Sequence, residues 1–120
     1  MFHFFSLIVV AVAAASASAQ TYTGGEATYY TQDGNAGACG QFNSDSALIV
    51  AVQARRFNLE LCGRQVRVTN TNTGASVVAT VEDECPTCQN NPNSLDLSVA
   101  AFEQIATLDQ GIVPITYTYL

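Results

Sequence analysis

Two carboxylates set the chemistry open to this chain. Asp83 and Asp96 flank Cys85-Pro-Thr-Cys88 and a polar turn rich in Asn and Pro, Asn90–Ser94. Each acid is expected where an apolar strand ends. Neighbouring carboxylates can share one proton, so that one donates while the other accepts. If both stay ionised they only accept hydrogen bonds. The plain alternative is a pair of solvated surface acids, the usual fate of aspartate. The one histidine, His3, lies at the N-terminus. Beyond it no Ser-His-Asp or Cys-His machine can be built, and no His-ligated metal site. There is no Gly-rich phosphate loop and no dinucleotide fingerprint. No cofactor is expected; carboxylates, hydroxyls, amides and tyrosines remain.

The scaffold that must hold these groups is small. Leu7–Ala15 is an apolar run, and Ala17-Ser18-Ala19 fits a small-residue cleavage site. Residues 1–19 therefore read as a secretory signal peptide. The run is shorter than the ~20 residues a membrane span needs. A secreted single domain over residues 20–120 is expected, with no membrane partner. Four cysteines suit a small secreted domain that needs covalent help. The expected pairing is Cys39–Cys62 and Cys85–Cys88. The longer bridge should contribute roughly 3 kcal/mol through the unfolded chain. The shorter one should shape the loop after Asp83. A CxxC pair can also serve redox chemistry, but no thioredoxin-like βαβ pattern surrounds it.

Net charge is −6, with four arginines (Arg55, Arg56, Arg64, Arg67) and no lysine. Such a balance disfavours nucleic acid and acidic polymers such as pectin. Neutral polysaccharide and protein partners stay open, and a monomer is expected. The Arg55-Arg56 pair reads as a solvated edge.

Local patterns predict mostly strand. Gln20–Gly25 reads as a frayed leader, Glu26–Thr31 as a strand, and Gln32–Ala38 as a loop with Asp-Gly. Ala47–Val52 is a continuous apolar run, consistent with a strand buried on both faces. Gln65–Glu82 reads as a hairpin turning at Thr71–Gly74. Ser98–Leu108 is the one predicted helix, with Ser98 as its N-cap and Gly111 near its end. Ile112–Leu120 returns to strand, and Pro114 suggests a sheet edge. Several strands and one helix, without βαβ alternation, predict a mostly-β barrel or sandwich.

The motifs GEATYY (Gly25–Tyr30), GACG (Gly37–Gly40), NSDS (Asn43–Ser46), LIVAV (Leu48–Val52), Cys62-Gly63, TVEDECPTC (Thr80–Cys88) and LDLSVAAF (Leu95–Phe102) run in one order. That order resembles small fungal expansin-like proteins of the loosenin type, over nearly all of residues 20–120. These share a double-psi β-barrel with expansins, barwin, rare lipoprotein A and family-45 glycoside hydrolases. The resemblance implies a six-stranded barrel with one short helix. It also implies a polysaccharide groove lined by Thr28, Asp83 and Asp96, with Asp96 as the essential carboxylate.

Tyr30 is expected beside Thr28, because alternate strand residues share a face. With no Trp in the chain, a sugar-stacking surface would rest on Tyr117 and Tyr119. Asp96 is expected just before the helix, where amide dipoles favour its charge. An inverting hydrolase needs a second carboxylate roughly 6.5–9.5 Å away to activate water. In the related hydrolases that base follows the first-strand Tyr, where this chain has Thr31 and Gln32.

The implied activity is therefore non-hydrolytic binding and loosening of a β-glucan such as cellulose, or of chitin. Two alternatives stand beside it. One is a weak glycoside hydrolase or lytic transglycosylase using Asp96 with Asp33 or Asp45. The other is a barwin-like protein-binding module, such as a protease inhibitor or secreted effector, acting through the Gln32–Ala38 and Gln89–Ser94 loops.

Overall fold

The structure is a computed structural model that describes Ile8 and residues 20–120. The rest of the expected signal peptide lies outside the described residues. Six strands make up the domain: β1 (Thr21–Tyr30), β2 (Ile49–Gln53), β3 (Gln65–Asn70), β4 (Ser76–Cys85), β5 (Leu95–Ser98) and β6 (Val113–Tyr119). They close in the order β1-β5-β2-β4-β3-β6, with β6 pairing back to β1. One short helix, α1 (Val99–Glu103), follows β5 directly.

Alternation explains the barrel wall. Val66 and Val68 on β3 and Val77, Ala79 and Val81 on β4 point inward, as a period of two requires. Ala27, Val50, Val52, Leu95, Leu97, Val113 and Ile115 complete the lining. All five residues of β2 are buried, because β2 lies between β5 and β4 and its outer face is covered as well. There Ala51 packs with Cys85, Cys88 and the partly buried Tyr30. Phe102 and Ile105 from the helical segment close one end of the core.

Several local expectations change. Gln20–Gly25 is not frayed: β1 begins at Thr21, paired through Thr21↔Thr118 and Tyr22↔Tyr117. A register shift between Tyr22 and Gly25 hid the alternation. The helix is one turn rather than three. Ser98 caps it by accepting from the Ala101 N–H at 3.2 Å, and Gly111 instead ends a separate 3-10 turn, Leu108–Gln110. Leu95–Ser98 is a strand, too short to announce itself by pattern. Pro114 marks no sheet edge, because β6 has neighbours on both sides. It sits at the start of β6, where a missing N–H is tolerated.

Both disulfides form as expected. Cys39–Cys62 spans 23 residues and Cys85–Cys88 spans 3. The chain also crosses itself tightly at Gly25. A Cβ there would lie 1.7 Å from the Asn93 carbonyl oxygen, so only glycine lets β1 pass under the segment leading into β5. Three hydrogen bonds stitch this crossing: Glu26 N–H to Ser94 Oγ, Asn93 Nδ2 to the Thr23 carbonyl and Asn91 Nδ2 to the Gly24 carbonyl.

Candidate functional site

Register brings the two acids together. On the β1–β5 ladder Thr28 pairs with Asp96, and on the β5–β2 ladder Asp96 pairs with Ala51. On the β2–β4 ladder Ala51 pairs with Asp83. Thr28, Asp96, Ala51 and Asp83 therefore form one row across four strands, on the outer face of the barrel wall. The acids' backbones are two strand spacings apart, about 10 Å. Neither acid ends a strand: Asp83 lies within β4 and Asp96 within β5.

A bulge aims Asp83. The inward positions of β4 run Val77, Ala79, Val81, and strict alternation would turn Asp83 into the core. The β2–β4 register instead steps from Val50↔Val81 to Ala51↔Asp83, with Glu82 as the extra residue. The inserted residue reverses the faces beyond it. Asp83 and Cys85 consequently join Ala51 on the outer side.

The two carboxylates are held differently. Asp83 accepts three hydrogen bonds: Tyr30 Oη–H to Oδ2 at 3.1 Å, and the Ala38 and Glu84 N–H groups to Oδ1, each at 2.8 Å. The Ala38 donor comes from a loop that presses close. At Gly37 a Cβ would lie 2.4 Å from the Glu82 carbonyl oxygen. Asp96 accepts one hydrogen bond, from Thr28 Oγ1 to Oδ1 at 2.9 Å. No backbone N–H of α1 donates to it; the free Ala101 N–H goes to Ser98 Oγ. The helix start thus gives Asp96 no direct hydrogen bond. Burial pushes the Asp96 carboxyl up from the ordinary 3.8, the Thr28 hydrogen bond opposes this, and the charge of Asp83 adds to it.

Tyr30 is fixed between neighbours. Its hydroxyl donates to Asp83 and accepts from Gln32 Nε2 at 3.2 Å. Burial, foremost, raises its pKa, and the charges of Asp83 and Asp96 push the same way. Tyr30 remains a protonated donor at any ordinary pH. Gln32, only 7% exposed, is a residue whose role the sequence did not announce. Thr28, Tyr30 and Gln32 follow at intervals of two, the one signal that could have placed Gln32 on this face. Tyr29 turns the other way, its ring 4.9 Å from Phe102 and its hydroxyl donating to the Leu108 carbonyl.

Three residues that the sequence put forward fall outside the row. Tyr117 is 1% exposed and stacks on Tyr22 at 4.8 Å within the core. It offers no face to a sugar, because its position on β6 is inward in the alternation with Val113 and Ile115. Asp33 accepts from Thr31 Oγ1, and Asp45 from the Gln32 N–H. Neither bonds to Thr28, Tyr30, Asp83 or Asp96. The position two after Tyr30 carries a neutral amide.

Known proteins share this architecture. The double-psi β-barrel family model described as lytic transglycolase (DPBB_1) matches residues 22–117. The papain inhibitor of Streptomyces mobaraensis is 37% identical over 115 residues, covering 87% of this chain and 78% of the inhibitor. An EG45-like domain containing protein of Citrus jambhiri is 32% identical, with 92% of each chain covered. Among solved structures, Streptomyces papain inhibitor superposes with a TM-score of 0.73 at 36% identity, over 84% of this chain and 94% of the inhibitor. An expansin of Clavibacter michiganensis, crystallised in complex with cellohexaose, gives a TM-score of 0.71 at 30% identity over 84% of this chain. The chain spans half the length of that expansin. With its matching span, its closed six-stranded barrel and these relatives, the chain belongs to the double-psi β-barrel family of expansin-like and barwin-like domains.

Proposed function

We propose that this protein is a secreted, expansin-like domain of the loosenin type that binds cell-wall polysaccharide without hydrolysing it. The supporting observation is the row of Thr28, Asp96 and Asp83, with Tyr30 one pleat along. Asp96 spends only one oxygen on a protein donor. Its other oxygen accepts from, or when protonated donates to, a sugar hydroxyl. Such exchanges compete with the hydrogen bonds between neighbouring chains in a glucan or chitin fibre. Hydrolysis would need a free base across the scissile bond; Gln32 is uncharged, and Asp83 already accepts three hydrogen bonds from the protein. Affinity rests on polar contacts, because Tyr29 turns away from the row and packs against Phe102 and Tyr117 is buried.

Retention on cellulose, chitin and xylan, measured together with soluble products, tests this reading. Binding and swelling of one polymer without reducing sugar, lost in Asp96→Asn, is the expected result. Oligosaccharide release that vanishes in Asp96→Asn would instead make the protein a weak hydrolase or transglycosylase.

A second reading, a protease-binding module, is favoured by the loop beside Asp83. Phe42 is 74% exposed, on a loop closed by an Ala36↔Phe42 bridge and anchored by Cys39–Cys62. A rigid loop with an apolar tip suits a protein partner, and a relative bears the name papain inhibitor. Papain inhibition that survives Asp83→Asn and Asp96→Asn but fails in Phe42→Ala would favour it.

A further inference from the structure

The positive charge of this acidic chain is gathered at one place. Arg56 lies over the Tyr22 ring at 4.5 Å, and Arg64 over the Tyr119 ring at 4.8 Å. Tyr22, Tyr117 and Tyr119 form one cluster, with ring centroids between 4.8 and 6.2 Å apart. Three of the four arginines, Arg55, Arg56 and Arg64, thus surround a single tyrosine group or the cavity beside it. Arg55 is exposed, as expected from sequence, whereas Arg56 is half-buried. They donate to the amide oxygens of Asn90 and Asn93, which orient the guanidinium groups and leave their charges in place.

Beside this cluster is a cavity of about 310 Å³, lined by Tyr22, Arg55, Arg56, Asn58, Leu61 and Tyr119. It lies away from the acid row, since Tyr22 and Thr28 are six residues apart on β1, roughly 20 Å. Its polar lining is a set of donors with no carboxylate. Asn58 uses its Oδ1 to accept the Glu60 N–H, which leaves Nδ2 to donate. The Tyr119 hydroxyl is buried and has no partner among the described residues, and neither has that of neighbouring Tyr117. Burial pushes the Tyr119 phenol up to about 12, so it is a donor at neutral pH.

We propose that this cavity binds a carboxylate carried on a single sugar unit, a uronate. Guanidinium groups match an oxyanion. The volume is at the lower end for ligand sites, large enough for one ring and not for a chain segment. The ring faces of Tyr22 are already covered by Tyr117 and Arg56, so recognition is by charge and hydrogen bonding rather than stacking. Net charge argues against acidic polymers for the protein as a whole, but not for this end of the barrel. The inference stands apart from the acid row and does not depend on its function.

Titration of ¹⁵N-labelled protein with glucuronate, glucose and acetate tests it. Glucuronate should give saturable amide shifts around Arg56, Leu61 and Tyr119, weakened by added salt. Glucose and acetate should bind at least tenfold more weakly. Arg56→Gln should weaken glucuronate at least tenfold. If that variant does not fold, the exposed Arg55→Gln carries the same expectation. Equal binding of glucose or acetate, shifts confined to Thr28, Asp83 and Asp96, or unchanged affinity in a folded arginine variant would each overturn the proposal.

Discussion

Gly24 and Gly25 are adjacent, yet replacing them should have very different effects. Gly24 has φ +77°, and a Cβ there meets nothing within 4 Å. Gly24→Ala carries only the left-handed backbone cost of about 1–2 kcal/mol. At Gly25 the atoms in the way are all backbone: Asn93 O at 1.7 Å, Asn93 C at 2.3 Å and Ser94 N at 2.9 Å. No side-chain rotation relieves such overlap, so the two segments must part. Parting them breaks the three hydrogen bonds of the crossing, each worth about 1 kcal/mol net. Gly25→Ala should therefore cost at least about 3 kcal/mol. For a domain of this size that is a fall in Tm of roughly 12–24 °C, against roughly 4–16 °C for Gly24→Ala. The displaced segment leads into β5, so retention on polysaccharide should fall as well. Thermal melts followed by circular dichroism, with both variants side by side, decide the matter. If Gly25→Ala melts within a few degrees of the parent, the two chain segments do not cross as described.

Asp96 is held above its ordinary value, so its contribution to stability is whole below that value and is lost as pH rises through the folded-state titration. Urea midpoints of the parent, taken relative to Asp96→Asn, should thus decline with rising pH across the acid range; an increase would contradict a buried, charge-opposed acid. Thr28→Val removes the one hydrogen bond that favours the ionised form, and ¹³C carboxyl NMR should show Asp96 titrating at higher pH than in the parent. The C39S/C62S variant opens a closure of 23 residues and should lose about 3.4 kcal/mol in denaturant unfolding, roughly twice the loss from opening the short bridge. The C85S/C88S variant should lose more polysaccharide retention, because Cys85 and Cys88 pack against Ala51 and Tyr30 beside the acids.

Much of the wall was legible because it obeys a period of two. The β3–β4 hairpin reads directly from Val66, Val68, Val77, Ala79 and Val81, and β2 from its unbroken apolar run. The irregular positions were not legible. The shift after Tyr22 disguised the first half of β1, and the four residues of β5 were too few to form a pattern. The residues of the acid row were identified by family resemblance, but their common orientation depends on Glu82. A bulge residue looks like any other in sequence, and without it Asp83 would read as inward. Tyr117 illustrates the converse: a tyrosine at an inward position belongs to the core, whatever its chemistry could offer. Gln32 reads in sequence as the absence of a base, whereas its amide holds the Tyr30 hydroxyl in place.

The closure of the wall also constrains how the molecule comes into being. The first strand is flanked by β5 and β6, the last two to leave the ribosome. Its hydrogen-bonding groups must wait until residues 113–119 exist, so the cylinder cannot assemble piecemeal during synthesis. A chain shortened by those seven residues would leave β1 and β3 each with a bare flank, ready to pair with another copy.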